Sequence, residues 1–184
     1  MPRSPAKTRL YEQFAVTGKA LSHASRLELL DLLSQGERSV EALARAAELN
    51  LSTASAHLQV LKQAGLVDTR REGVKVYYRL AGEDVAALFA SLRRVSEHHR
   101  AESAAAAVAY LGPGTDPAMD PDQLRDRLHD GALVILDVRP TEEYQAGHIP
   151  GAVSIPIDEL ATRITELPDD AQIVVYCRGH YCAF

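Results

Sequence analysis

Cys177 and Cys182 are the only cysteines among 184 residues, and they stand at the two ends of one short loop, "CRGHYC", near the end of the chain. Ile173, Val174 and Val175 lead into the first of them, a β-branched run expected to form a strand. A thiol leaving a strand end is either a reactive group held in a loop or a small residue at a frayed terminus. The residues alone leave both readings open. If it reacts, the reactive species is the thiolate, a nucleophile and soft ligand. A second set of residues is suited to hydrogen bonding instead. In "LSTASAHLQVLKQA" the polar side chains Ser52, Thr53, Ser55 and Gln59 recur, with His57 between them and Lys62 after them. Three cations follow closely: Arg70, Arg71 and Lys75.

These side chains need elements to position them. "SRLELLDLL" puts Leu27, Leu30 and Leu33 on one helical stripe, with Leu29 beside it. "SVEALARAA" is a short helix for which Ser39 is the N-cap, and Asn50 caps the helix after the "ELN" turn. That helix ends at Gly65. On it Ala54, Leu58 and Leu61 share the buried face, leaving Ser52, Ser55 and Gln59 on or near the other. His57 lies nearer the buried stripe, so packing or phosphate contact suits it as well as base reading. "LVDTRR" and "VKVYYRL" then alternate around a tight Glu72-Gly73 turn, a hairpin signal. Helix, turn, helix and hairpin make a winged helix-turn-helix. From about Glu83 to Tyr110 neither Gly nor Pro interrupts the chain, which predicts one long helix. "GPGTDPAMDP" stops it. The expected organisation is a DNA-binding and dimerisation domain over residues 1–111, a linker over 112–120, and a second domain over 121–184.

The formal net charge of −5 conceals a split. Residues 1–112 carry 15 Lys and Arg against 12 Asp and Glu, whereas residues 113–184 carry 5 against 13. Only the first half is therefore suited to a polyanion. No segment approaches the roughly 20 apolar residues that cross a membrane, and the N-terminus lacks the apolar core of a signal peptide. Two neighbouring cysteines make no disulfide framework. A reducing cytoplasm is the expected compartment, with no membrane partner.

The first half resembles the ArsR/SmtB family of dimeric bacterial repressors, through "ALSHASRLELLDLL", "LSTASAHLQVLKQAGLV" and the wing "TRREGVKVYYRL". The resemblance implies double-stranded DNA as partner, an inverted-repeat operator, and a homodimer joined through the helices at about residues 8–20 and 83–108. The second helix of the motif would enter the major groove, where short polar side chains hydrogen-bond base edges. Ser52, Thr53, Ser55, His57 and Gln59 are its DNA-binding candidates. Lys62, Arg70, Arg71 and Lys75 suit phosphates, which position without specifying. Metal-sensing members use cysteines that this half lacks, and Asp84, His98, His99 and Glu102 do not have the spacing of the other family site. Adjacent helical histidines also point about 100° apart. No metal site and no cofactor is expected.

The second half resembles the rhodanese domain, through "LVILDVR", "TEEY", "GHIPGA" and "IVVYC" in that order. This implies an α/β fold with a mostly parallel sheet, and it carries the catalytic cysteine onto Cys177, with Arg178 and Cys182 in the catalytic loop. Inward-facing amides of such a loop favour thiolate over thiol, and the thiolate can take sulfane sulfur from thiosulfate or a persulfide. Asp137, Arg139 and His148 are expected to be structural. Family members continue beyond this loop with a helix, a strand and another helix, so the domain is expected to be incomplete where the sequence ends at Phe184. The position six beyond Cys177 is Ala183, not the arginine of phosphate-binding relatives.

The combined reading is a DNA-binding regulator, a repressor, whose rhodanese-like domain senses or transfers sulfane sulfur through a persulfide on Cys177. The alternative is a sulfurtransferase enzyme with an accessory DNA-binding domain.

Overall fold

Local capping chemistry sets where the helices of the first half begin and end. In the computed structural model, which describes residues 4–111, 124, 127, 133–168 and 171–177, helix α1 (Pro5–Leu21) precedes α2 (Ala24–Ser34). Strand β1 (Arg38–Ser39) leads into α3 (Val40–Ala46) and α4 (Leu51–Gln63). Ser39 accepts a hydrogen bond from the Ala42 amide at 3.2 Å, and Asn50 one from Thr53 at 2.8 Å. Both caps satisfy amides that a helix start leaves unpaired. Helix α4 closes with Leu66 N donating to Leu61 O and Gly65 N to Lys62 O, with Gly65 at φ +73. Helix α3 closes by the same paired bonds, Leu49 N to Ala44 O and Glu48 N to Arg45 O. There the left-handed position is held by Glu48, at φ +50, where glycine is usual.

Strands β2 (Val67–Glu72) and β3 (Lys75–Leu80) form the wing, and β1 adds to the far side of β3. Glu72 pairs with Lys75, so the turn residues are Gly73 and Val74 rather than the Glu72-Gly73 expected from sequence. Gly73, at φ +60, takes the first turn position and pushes Glu72 back into the ladder. The core beneath joins Leu29, Leu30, Leu43, Leu58, Leu61 and Tyr78 to Val85 and Phe89. Each fully buried leucine contributes about 1.5–3 kcal/mol relative to an exposed one.

The expected long helix is two. Helix α5 (Glu83–His99) and helix α6 (Ala101–Leu111) meet at Arg100. The Arg100 amide still donates to Ser96 O, and Arg100 O accepts from Ser103 and Ala104, so the interruption is a single residue. No helix among the described residues is long and apolar enough to cross a membrane.

The chain divides into compact units at Met1–Val95 and Ser96–Phe184; the expected linker at 112–120 lies outside the described residues. In the second unit β4 (Leu133–Asp137) is the central strand, paired in parallel with β5 (Val153–Ser154) and β6 (Gln172–Tyr176). Helix α7 (Thr141–Ala146) connects β4 to β5; α8 (Ile157–Arg163) and a 3-10 turn (Ile164–Glu166) connect β5 to β6. Alternation along β4 serves two faces. Leu136 and Val138 cluster with Ile155, Leu167, Val134, Leu160 and Cys177. Ile135, Asp137 and Arg139 are also buried. A strand covered on both faces reads as a continuous apolar run, as "LVIL" does.

A glycine at position 48 escapes the Cβ clash of the left-handed conformation, and that relief outweighs its greater unfolded-state entropy. Glu48→Gly is expected to stabilise the winged half by about 0.5–1 kcal/mol. The measurement is a higher urea midpoint at unchanged slope.

Candidate functional site

Helix α4 presents two kinds of surface. Ala54, Leu58 and Leu61 are buried, while Ser52 and Gln59 are exposed and Thr53, Ser55 and His57 are half-buried. The Ser52 hydroxyl donates to Asn50 Oδ1 at 2.8 Å, within the cap of its own helix. Two side chains bind α4 to the wing: Gln59 Nε2 donates to the Tyr78 hydroxyl at 2.8 Å, and Lys62 Nζ donates to Thr69 Oγ1 at 2.7 Å. Tyr78 is buried. His57 lies against His23, ring centroids 4.4 Å apart. Burial lowers the His57 pKa from its ordinary value of 6.5, and the neighbouring His23 and Arg26 lower it further.

The wing cations divide. The side chains of Arg71 and Lys75 are exposed and make no hydrogen bond or ion pair among the described residues. Arg70 is engaged throughout. Its Nε and Nη2 donate to Glu37 Oε1 at 3.0 and 2.6 Å, its Nη1 donates to Glu72 Oε2 at 2.8 Å, and the guanidinium lies 4.7 Å from the Tyr77 ring centroid. Those hydrogen bonds hold the Glu37 carboxyl below its ordinary value and raise Arg70. Sequence reading missed Glu37, which lies 33 residues from its partner.

In the second unit the chain runs outward from β4 to β5 and returns past β4 to β6. The carboxyl ends of β4 and β6 are thus where the strand order reverses, the usual ligand position in open α/β sheets. Asp137 ends β4 in register with Tyr176, and Cys177 is the next residue. A buried charge network occupies this point. Asp137 is fully buried; Arg139 Nε donates to its Oδ1 at 2.9 Å and Nη2 to its Oδ2 at 2.7 Å. The Tyr176 hydroxyl donates to Asp137 Oδ2 at 2.5 Å and accepts from Ile149 N at 3.2 Å. Arg139 Nη2 also donates to Gly147 O at 2.8 Å. Burial pushes the Asp137 pKa up, but the hydrogen bonds from Arg139 and Tyr176 outweigh it and the net shift is downward. The tyrosine hydroxyl is raised by burial and then by Asp137. His148 Nδ1 hydrogen-bonds Tyr144 O at 2.9 Å, and the two rings stack at 3.8 Å.

Cys177 is half-buried against the β4 cluster and is disulfide-bonded. The chain's other cysteine is Cys182, which, like Arg178, lies outside the described residues. Tyr176 was not singled out from sequence. Its signal is its position immediately before the thiol, but its partner Asp137 is 39 residues away.

A winged helix-turn-helix followed by an α/β unit with a cysteine at the carboxyl end of its sheet defines a two-part architecture. Comparison with known proteins agrees. Residues 21–70 match the helix-turn-helix domain family, and residues 120–184 match the rhodanese-like domain family. The HTH-type transcriptional regulator Rv0324 of Mycobacterium tuberculosis is 55% identical over 180 residues, which span 98% of this chain and 79% of that protein. The homodimeric winged helix-turn-helix DNA-binding domain of Mb0332 from Mycobacterium bovis, described as a possible ArsR-family transcriptional regulator, is 54% identical. It covers 55% of this chain and 94% of that one, with a TM-score of 0.51. A sulfurtransferase from Allochromatium vinosum is 38% identical over 62 residues, which span 33% of this chain and 58% of that protein. The chain belongs to the helix-turn-helix transcriptional regulators that carry a rhodanese-like domain.

Removing one partner of a buried ion pair costs about 3–5 kcal/mol, because the other charge is left uncompensated. Arg139→Ala is therefore expected to destabilise the second unit by about that amount. After reduction, Cys177 should label with a thiol reagent at lower urea than in the parent chain.

Proposed function

We propose that this protein is a homodimeric repressor that binds an inverted-repeat operator and responds to sulfane sulfur at Cys177. The observation that carries this reading is the position of Cys177. It follows the carboxyl end of β6, beside the end of β4, in a chain whose DNA-binding half contains no thiol. Helix α4 supplies base contacts through Ser52, Thr53, Ser55, His57 and Gln59. The wing, with Lys62, supplies phosphate contacts, chiefly from Arg71 and Lys75. An apolar surface on α1, with Leu10, Tyr11, Phe14 and Val16 exposed, and on α5, with Leu88 and Val95 exposed, supports a dimer. So does the homodimeric relative. A regulator of this kind works in the cytoplasm, where its operator is.

The chemistry needs no cofactor. The Cys177 thiolate attacks the outer sulfur of thiosulfate; the sulfur–sulfur bond breaks, sulfite leaves with the electron pair, and Cys177 carries a persulfide. The Cys182 thiolate can then attack the Cys177 sulfur, forming the 177–182 disulfide and expelling hydrosulfide. Arg178 adds positive charge for the anionic donor. The bonded loop lacks the thiolate's charge, and this difference is what the regulator would report.

A second reading, a sulfurtransferase with an accessory DNA-binding half, is favoured by the likeness to the Allochromatium sulfurtransferase. Cys177→Ser separates the two. It is expected to abolish persulfide formation and to make DNA affinity indifferent to thiosulfate or persulfide, as read by intact mass and by titration of operator DNA. Sulfur transfer that proceeds while DNA affinity never changes would favour the enzyme. Within the reader, Gln59→Ala and Ser55→Ala are expected to lose about 1–3 kcal/mol of discrimination between operator and random duplex. Arg71→Ala should instead weaken both about equally and lower the salt slope by about one unit.

A further inference from the structure

Arg70 is the most heavily occupied cation of the wing. The edge of a guanidinium formed by Nε and Nη2 presents two parallel donors, the geometry that grips a carboxylate or a phosphate bidentately. Here that edge is filled by Glu37, from the turn preceding β1, at 3.0 and 2.6 Å. Glu72 takes Nη1 at 2.8 Å, so all three guanidinium nitrogens donate to carboxylates. Tyr77, directly across the hairpin from Arg70, holds the group's face at 4.7 Å. Two carboxylates around one cation leave this part of the wing net negative. Arg79 is also near a carboxylate, Asp68, at 3.7 Å. The positive charge left to the wing is that of Arg71 and Lys75.

Such a pair contributes little to stability, because both partners are partly exposed, side chains at 50% and 30%. Its effect on a polyanion is larger. Both short bonds end on Glu37 Oε1, so a phosphate oxygen approaching this edge must displace that carboxylate oxygen and meets its charge as it does so. We propose that Glu37 is an affinity-limiting residue: it occupies the phosphate-gripping edge of Arg70 and keeps the wing's hold on DNA below what its sequence charge implies. The inference rests on the reading that this wing contacts the DNA backbone. Lower backbone affinity weakens binding to every duplex alike, so the base contacts of α4 account for a larger share of the operator's affinity.

The test is titration of the full-length chain with a fluorescent mixed-sequence duplex at several salt concentrations. Glu37→Gln keeps the side-chain size and removes the charge. It is expected to bind more tightly than the parent, with a salt slope steeper by about one unit as Arg70 displaces one further counterion. Arg70→Ala alone is expected to change the slope little, because its guanidinium is already satisfied. In Glu37→Gln with Arg70→Ala the steeper slope should disappear. The proposal is overturned if Glu37→Gln leaves the slope unchanged or weakens binding, or if the steeper slope persists without Arg70. Arg71→Ala serves as the control on the underlying reading. If it too leaves binding unaffected, the wing does not contact the backbone, and that reading fails rather than the role of Glu37.

Discussion

A carboxylate wholly withdrawn from water is tolerable only when every lone pair is answered. Asp137 meets that condition at the end of the central strand, and the arrangement around Cys177 follows from it. Arg139, two residues on, must fold back to supply the fork. Its Nη2 also reaches Gly147 O. The Arg139 amide donates to Oδ1 as well; Tyr176 must stand opposite to supply the fourth donor, and its oxygen then receives the Ile149 amide. One buried charge thereby ties together the ends of β4 and β6 and the turn after α7. The residue following Tyr176 is the thiol, so its backbone position is inherited from the pair.

The winged half faces the opposite problem, since its charges are in water and few are individually strong. Its shape comes from leucines beneath the helices and from caps at their ends. Its electrostatics come from which cations are already paired. Counting Lys and Arg overstates the free positive charge of the wing, because Arg70 is already paired with Glu37 and Glu72. The distribution of partners matters more than net charge.

How far each feature was legible in the sequence tracks how local its cause is. Ser39, Asn50 and Gly65 act on their immediate neighbours, and the ends of α3 and α4 follow from them. The alternating hairpin was equally plain, although a glycine that takes the first turn position shifted the turn by one residue. The break at Arg100 has no Gly or Pro to announce it, so an uninterrupted pattern read as one helix. The pairing of Arg70 with Glu37 and of Asp137 with Tyr176 depends on strand register and turn position, which single-chain patterns do not carry. The order of rhodanese-like segments identified the second half, yet the tyrosine that joins its loops was invisible until the strands were aligned.

Two side-chain bonds, Gln59 to Tyr78 and Lys62 to Thr69, fasten α4 to the hairpin beside it. The spacing between α4 and the hairpin is therefore set within the protein. A duplex whose groove width does not match that span must deform, at a cost that varies with the stiffness of its base steps. On the proposed reading, with α4 in a groove and the wing on the backbone, these two tethers would make duplex shape as well as base identity part of what the protein selects.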